Sequence, residues 1–159
     1  MTVFGGNPKL LNFDANRKSS FHFWAKGKTD AVIILAPNTT ATSQNEKRYE
    51  TYIGGYGNRF TWIWRKGPWS EEATPFVPGT FLNSSEYRPF WCSWANQNIT
   101  VGRGEQIGID VVGFKDISSD PIDIKYLFLR SYGRFTVHFK YFYYNGNPFS
   151  IYQFANKQH

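Results

Sequence analysis

The sequence predicts an all-β protein, an antiparallel β-sandwich built from roughly eight to ten short strands. Apolar and polar residues alternate with a period of two in several runs, and Gly, Pro and Asn residues separate these runs. None of the runs has a sustained helical period or a good capping sequence. Aromatic residues form 19% of the 159-residue chain, and Phe, Tyr and Trp favour strands. This length predicts one domain, 1–159.

Four strands are predicted in the first half of the chain: FHFWAK (21–26), DAVIIL (30–35), YETYI (49–53) and FTWIWR (60–65). The alternation in FHFWAK puts Phe21, Phe23 and Ala25 on one face. The alternation in FTWIWR puts Trp62 and Trp64 on one face. DAVIIL is a continuous apolar run, which is typical of a buried strand. The polar segment 36–48 is a predicted loop.

The second half gives five more strands and an edge segment. PFWCSWA (89–95) and NITVGRG (98–104) are joined by a tight Asn96-Gln97 connection, and IGIDVVGF (107–114), DIKYLFLRS (123–131) and RFTVHFKYFYY (134–144) follow. A turn at Asn145-Gly146-Asn147-Pro148 leads to a possible edge strand at 149–154.

The net charge and the cysteine content exclude few classes of function. The formal charge is +6 and the isoelectric point is about 9.4, but no arginine-rich tract is present, so nucleic-acid binding is not favoured. The single cysteine, Cys92, cannot form an intramolecular disulfide, and its apolar neighbours indicate a buried position.

The chain as given predicts a cytoplasmic protein. MTVFGGNPKLLNFD lacks the basic and apolar regions of a signal peptide, and no apolar run approaches the ~20 residues of a membrane span. Sequons at Asn38, Asn83 and Asn98 would matter if a leader had been removed or if the domain had been excised from a secreted protein.

Several chemistries are not supported by the sequence. The glycine-rich segments GGYGN (54–58) and GRGEQIG (102–108) are each followed by a strand, so they predict hairpin turns, not phosphate loops. The three histidines share no ligand spacing, and no serine has a nucleophile-elbow context. We therefore expect no cofactor and no catalytic or metal-binding residue. The aspartates of DISSDPID (116–123) leave calcium binding open, although such residues are commonly turn formers.

Aromatic rings on strands are the strongest indication of a binding surface. An exposed ring offers a flat apolar platform, and neighbouring Arg, Asn and Glu residues offer hydrogen bonds to hydroxyl or carboxylate groups. This combination suits a sugar, which has an apolar ring face and a polar rim. The alternative is that the six tryptophans fill an unusually aromatic core.

The sequence resembles the animal domain family called farnesoic acid O-methyltransferase-like. The matching segments are YETYIGGYGNRFTWIWR and EYRPFWCSWANQNITVGRG, with FHFWAKGKTDAVIIL before them and DPIDIKYLFL after them. The likeness covers about 13–140, and 141–159 would be an extra strand or tail. Tyr56 stands where the family has a tryptophan, and Cys92 stands where a β-branched residue is usual.

The resemblance implies a β-sandwich of jelly-roll or legume-lectin-like kind. The family label implies an S-adenosylmethionine-dependent O-methyltransferase. However, a sandwich without a glycine-rich loop that opens a helix lacks the usual means of holding that cofactor. Family members often occur as modules beside extracellular or recognition domains, which indicates binding and not catalysis.

Within EYRPFW (86–91), Tyr87 and Phe90 are predicted to be structural, as is Trp94. Glu86 and Arg88 project to the same side of a strand, and we expect each to bond a neighbouring strand or loop and not each other. Arg88 and Trp91 remain candidates for ligand contact.

These observations predict a non-enzymatic recognition module that binds a glycan or glycoprotein. Its candidate ligand residues are Tyr56, Asn58, Trp62, Trp64, Arg65, Arg88, Trp91 and Arg103. The alternatives are the methyltransferase of the family label and a protein-interaction domain that self-assembles through the uncharged C-terminal segment YFYYNGNPFSIYQF (141–154).

Overall fold

The structure, a computed structural model, describes residues 7–40, 46–68, 71–132, 135–143 and 150–154. It confirms the all-β prediction, because the described residues form two antiparallel sheets that pack face to face as a sandwich of jelly-roll type. The two helical segments are single turns, at Gly55–Asn58 and Ala95–Gln97.

The seven-stranded sheet has the order β1-β11-β3-β4-β5-β6, and β7 also pairs with β5. Its strands are β1 (Lys9–Leu10), β3 (Ala31–Ala36), β4 (Arg48–Gly54), β5 (Phe60–Lys66), β6 (Glu71–Ala73), β7 (Val77–Pro78) and β11 (Tyr126–Ser131). The six-stranded sheet has the order β10-β9-β8-β2-β12-β13. Its strands are β2 (Ser20–Gly27), β8 (Arg88–Ser93), β9 (Asn98–Arg103), β10 (Val111–Asp116), β12 (Val137–Tyr143) and β13 (Ser150–Phe154).

The main core lies between the two sheets. Phe21, Phe23 and Ala25 all point into it, as the alternation predicts. Phe23 lies opposite Phe90 in the register of β2 and β8, and their rings stack at 5.7 Å. Cys92 is fully buried in the same core, and burial raises the pKa of its thiol to about 12.

The seven-stranded sheet is also apolar on its outer face. A second buried cluster there contains Val32, Ile34, Ala36, Tyr52, Trp62 and Phe128. The strand β3 is therefore buried on both faces, in agreement with its continuous apolar sequence. Trp62 and Trp64 share this outer face, as their spacing predicts.

The turns predicted within 54–58, 96–97 and 102–108 and the predicted edge strand are confirmed, whereas the turn predicted at 145–148 lies outside the described residues. Residues 54–58 connect β4 to β5, and 104–110 connect β9 to β10. Asn96 and Gln97 both have positive φ, at 56° and 58°, in the tight connection between β8 and β9. At the C-terminus, β13 pairs with β12, and the remainder of the tail (144–149 and 155–159) lies outside the described residues.

Some details of the sequence prediction are wrong, since the strands predicted at 123–131 and 134–144 begin only at Tyr126 and Val137. The strand predicted at 107–114 begins only at Val111, because Gly108 (φ 86°) and Asp110 (φ 52°) form a turn that the Arg103–Asp110 ion pair closes at 3.0 Å. Glu86 and Arg88 do form an ion pair, at 3.4 Å. Glu86 precedes the first residue of β8, so the flat-strand geometry assumed for this pair does not apply.

The indole of Trp91 lies directly against the backbone of β9. Its Nε1 donates to the carbonyl of Ile109, at 3.1 Å, in the turn before β10. A Cβ built on Gly102 would overlap the indole. Glycine is therefore required at position 102, because only a residue without a side chain leaves room for the Trp91 ring to lie across β9.

A buried carboxylate organises the outer face of the seven-stranded sheet. Glu50 on β4 has no exposed surface. Its Oε1 accepts from Arg48 Nε at 2.9 Å, and its Oε2 accepts from the Tyr52 hydroxyl at 2.8 Å. Lys66 Nζ on β5 and Arg130 Nη2 on β11 each lie 3.2 Å from Oε2. One carboxylate thus joins side chains from three strands.

The three cations keep Glu50 ionised. Burial alone would raise its pKa, but Arg130, Lys66 and Arg48 outweigh burial and lower the pKa from 4.5 to about 2. Ionisation of Glu50 is therefore more favourable in the folded chain than in the unfolded chain.

A methyl group at position 102 should destabilise the fold through Trp91. We expect Gly102→Ala to lower the free energy of unfolding by about 1–3 kcal/mol, because the indole must move. Urea denaturation measures this change. In a Trp91→Phe background the same substitution should cost less, since the smaller ring leaves space. An equal cost in both backgrounds would contradict the proposed overlap.

Acid should remove the contribution of Glu50 to stability. Its folded pKa lies below its unfolded pKa, so the contribution is complete above pH 4.5 and is lost as the pH falls towards 2. The expected loss is about 3 kcal/mol. Urea denaturation between pH 2 and 7 measures it, and Glu50→Gln should lack this part of the pH dependence. The control Glu86→Gln changes an exposed carboxylate and should keep it.

Candidate functional site

A cavity lined mainly by aromatic side chains lies on the outer face of the seven-stranded sheet. It has a volume of about 370 Å³, which is within the ~300–1,000 Å³ range of small-ligand sites. We call it the aromatic pocket. Its lining consists of six aromatic residues and four others: Thr29, Asp30, Tyr52, Tyr56, Gly57, Trp62, Trp64, Lys66, Tyr132 and Phe135.

Trp62 forms the fixed part of the pocket wall. It lies opposite Tyr52 in the β4–β5 register, and the two rings stack at 4.9 Å with an interplanar angle of 4°. The rings of Phe76 and Tyr56 also stack on it, at 4.4 Å and 5.3 Å. These contacts leave only 6% of Trp62 exposed. Its role in the pocket is therefore to hold other rings in position.

The β4–β5 turn carries Tyr56 to the edge of the pocket. Tyr56 has φ 51° and ψ 51°, a left-handed conformation that costs free energy for a residue other than glycine. Asn58 stabilises this turn through three hydrogen bonds to the segment at Phe81 and Leu82, with lengths of 2.7–3.1 Å. Gly55 is required because a Cβ there would overlap the Trp62 ring.

Four rings of the pocket present surface to solvent. Tyr56 is 60% exposed, Tyr132 is 49% exposed, Phe135 is 36% exposed, and Trp64 is half-buried. The ammonium group of Lys66 lies 4.3 Å from the centre of the Trp64 ring, which is close enough for a cation–π interaction. The pocket therefore combines flat apolar surfaces with a positive charge at its wall.

Asp30 supplies the carboxylate of the lining. Its Oδ1 accepts from the Thr29 hydroxyl at 3.1 Å. Burial raises the pKa of Asp30, while the Thr29 hydrogen bond and the charge of Arg130 act in the opposite direction. Burial, together with the neighbouring Glu50 charge, also raises the pKa of Tyr52, so its phenol stays protonated and donates to Glu50.

The structure brings together three of the eight predicted ligand residues. Tyr56, Trp62 and Trp64 line the aromatic pocket, and Asn58 supports the turn that carries Tyr56. Arg65 alternates with Trp64 and lies on the opposite face of β5, where its Nη2 is 2.6 Å from Asp120 Oδ2.

The other three predicted residues belong to the six-stranded sheet. Trp91 is fully buried beneath the turn at Ile109. Arg103 forms a bidentate ion pair with Asp110, and its guanidinium lies 5.5 Å from the centre of the Phe81 ring. Arg88 is exposed beside Glu86. None of the three lines the aromatic pocket.

Sequence reasoning missed Asp30, Tyr52, Lys66 and Tyr132. A signal existed for Lys66, because it continues the alternation of Trp62 and Trp64 to the end of β5. A signal also existed for Tyr52, because it lies two residues after Glu50 in YETYI and therefore on the same face of the strand. Asp30 and Tyr132 lie outside the strand cores, and only the pairing of β3 with β11 brings them together, through a Tyr132 N–H to Asp30 carbonyl bond of 3.3 Å.

The described residues contain no group of three or more His, Cys, Asp and Glu side chains placed to hold a metal ion. The aspartates considered for calcium make other contacts: Asp116 accepts from the Ser118 N–H, Asp120 pairs with Arg65, and Asp123 pairs with Lys125. Within the same residues, no helix is both long and apolar enough to cross a bilayer.

Solved structures share the fold at low sequence identity. The carbohydrate-binding module CBM66 from Bacillus subtilis superposes with a TM-score of 0.52 at 7% identity, covering 87% of this chain and 92% of that chain. A glycoside hydrolase family 16 endo-glucanase from Bacteroides ovatus gives a TM-score of 0.50 at 17% identity, covering 79% and 58%. At these identities the similarity establishes the β-sandwich fold.

The similarity to larger enzymes is partial. A prokaryotic β-1,3-1,4-glucanase (lichenase) derived from a mouse hindgut metagenome has a TM-score of 0.49 and 9% identity, and the chain spans 54% of its length. The curated proteins include no match to this sequence.

The family comparison agrees with the resemblance noted in the sequence. The profile of the farnesoic acid O-methyl transferase family matches residues 7–147, which is most of the chain. The match begins before the predicted region of 13–140 and extends beyond it. This chain, which matches the family profile, folds as a two-sheet sandwich and not as a doubly wound parallel sheet. The chain belongs to the farnesoic acid O-methyl transferase family.

Proposed function

We propose that this protein is a non-enzymatic carbohydrate-recognition module that binds a glycan in the aromatic pocket. The observation that carries the proposal is the placement of solvent-facing rings beside polar groups around one cavity of about 370 Å³. The rings of Tyr56, Trp64 and Tyr132 can cover the apolar face of a sugar. Asp30, Thr29 and Lys66 can bond its hydroxyl groups.

The rigidity of the pocket supports a binding role. The Trp62 stack and the Asn58 hydrogen bonds hold Tyr56 in a strained conformation before any ligand arrives. A prearranged site loses less conformational entropy on binding than a mobile one. Strain held at a surface turn is also commonly associated with function.

The carboxylates of the pocket favour binding over glycoside hydrolysis. A typical glycosidase requires two carboxyl groups on either side of the scissile bond. Among the described lining residues, only Asp30 carries a carboxylate. Glu50 lies behind the lining, has no exposed surface and is occupied by three cations and a phenol. It cannot reach a substrate.

The solved structures give independent support. The carbohydrate-binding module from Bacillus subtilis matches nearly its whole length to this chain, so the comparison is between units of similar size. Because fold does not imply function, the argument still depends on the pocket.

The family description favours a second candidate, O-methyl transfer. Such an enzyme must bind its methyl donor, which isothermal titration of S-adenosylmethionine measures directly. We expect no heat of binding, because among the described residues no helix longer than a single turn follows a glycine-rich loop. Saturable binding of this cofactor would overturn the non-enzymatic proposal.

Removing one ring should weaken glycan binding without unfolding the protein. We expect Trp64→Ala to reduce affinity by roughly tenfold or more, equal to ~1.4 kcal/mol, for any glycan identified on an array and titrated by tryptophan fluorescence. Trp24→Ala is the matched control, since Trp24 is a half-buried tryptophan on the outer face of the other sheet.

A glycan array without hits, together with unchanged fluorescence on sugar titration, would contradict the proposed function. Equal losses in Trp64→Ala and Trp24→Ala would contradict the assignment of the site to the aromatic pocket.

A further inference from the structure

Cations outnumber carboxylates in the ion cluster behind the aromatic pocket. Arg48, Lys66 and Arg130 all contact the single carboxylate of Glu50, at 2.9–3.2 Å. Asp30 lies in the field of Arg130, and Glu71 faces Lys66 across the β5–β6 register, although Lys66 pairs with Glu50. Lys28 adds a further cation at the rim, 5.2 Å from the Phe135 ring.

Lys66 is the cation of this cluster that lines the pocket. Its side chain is 17% exposed, whereas Glu50 Oε2 is already shared by Lys66, Arg130 and the Tyr52 hydroxyl. An ammonium group has three N–H donors. One of these N–H groups is directed at Glu50 Oε2, which Arg130 and Tyr52 also contact. The ammonium group of Lys66 can therefore bind a second anionic partner.

Buried N–H groups also surround the pocket. In the part of the chain that the structure describes, Nε1 of Trp62, Nε1 of Trp64 and Nε of Arg130 are buried without a hydrogen-bond acceptor. Trp62 and Trp64 line the pocket, and Arg130 lies directly behind it. Because these nitrogens are buried, they act on a ligand through their partial positive charge and not through direct hydrogen bonds.

Asp30 and Lys66 lie at different ends of the lining. Asp30 is beside the β4–β5 turn, since its N–H donates to the Gly54 carbonyl at 3.0 Å. Lys66 is the last residue of β5, and its ammonium lies over the Trp64 ring. An acceptor for hydroxyl groups therefore lies near Tyr56, and a positive charge lies near Trp64.

We propose that the aromatic pocket selects an acidic sugar, whose carboxylate or sulfate pairs with Lys66 while its ring covers Trp64. This inference rests on the proposed carbohydrate-binding function and adds the class of ligand. Hydroxyl groups at the other end of the ligand donate to Asp30. A charge-assisted hydrogen bond at a partly desolvated site is stronger than its neutral counterpart, which gives the preference for an acid.

Three matched probes test this preference. They are a short oligosaccharide of glucuronic acid, its carboxyl-reduced counterpart, which is an otherwise identical chain of glucose, and that glucose chain with sulfate on its primary hydroxyls. Titrations at ~0.15 M salt reduce the long-range effect of the net charge, because screening there acts over ~8 Å. We expect at least one acidic probe to bind roughly tenfold more tightly than the neutral chain.

Variants then assign the preference to Lys66. Lys66→Met keeps an unbranched apolar side chain but removes the charge, and it should abolish the difference between acidic and neutral probes. Lys66→Arg keeps the charge and should retain the difference. Lys18→Met is the matched control, because Lys18 is exposed and lies outside the aromatic pocket. Urea denaturation of each variant checks that it is folded.

Each outcome separates the two proposals. Equal binding of acidic and neutral chains by the unsubstituted protein overturns the acidic preference and leaves carbohydrate binding intact. Binding of none of the three probes, together with an array without hits, overturns both. Equal effects of Lys66→Met and Lys18→Met attribute the preference to net charge and overturn the role of Lys66. If Lys66→Met does not fold, the probe comparison and Lys66→Arg still decide the question.

Discussion

The buried carboxylate of Glu50 is the interaction on which the outer face of the seven-stranded sheet depends. It joins Arg48 and Tyr52 of β4 to Lys66 of β5 and Arg130 of β11. A buried charge is strongly unfavourable unless it is paired and hydrogen-bonded, so the positions of these side chains are coupled. The same contacts place the positive charge at one end of the aromatic pocket.

A second constraint acts at the other end of the pocket. The β4–β5 turn holds Tyr56 in a left-handed conformation, and Asn58 secures that turn to the segment at Phe81 and Leu82. Trp62 connects the two ends, because it stacks on Tyr56 as well as on Tyr52, whose hydroxyl donates to Glu50. Aromatic packing and the ion cluster thus support one continuous surface.

The family name and the fold lead to different expectations, and the pocket supports the recognition role that we propose. In the described part of this two-sheet sandwich, no helix longer than a single turn follows a glycine-rich loop, which is the usual site for a cofactor phosphate or nucleotide. Exposed rings beside the ammonium group of Lys66 and the carboxylate of Asp30 are suited to ligands that combine apolar faces with polar groups. Recognition therefore explains more of the described geometry than group transfer does.

The sequence by itself determined the strand periods, the turns and the apolar faces, because alternation and turn preferences are local properties of the chain. It therefore predicted the sandwich and the shared face of Trp62 and Trp64. Only the tertiary structure decided which of these rings form a site. Strand register and the pairing of distant segments are non-local: they bring Asp30 beside Tyr132, bury Trp91 under the turn at Ile109, and gather three cations around Glu50. No local pattern encodes those distances.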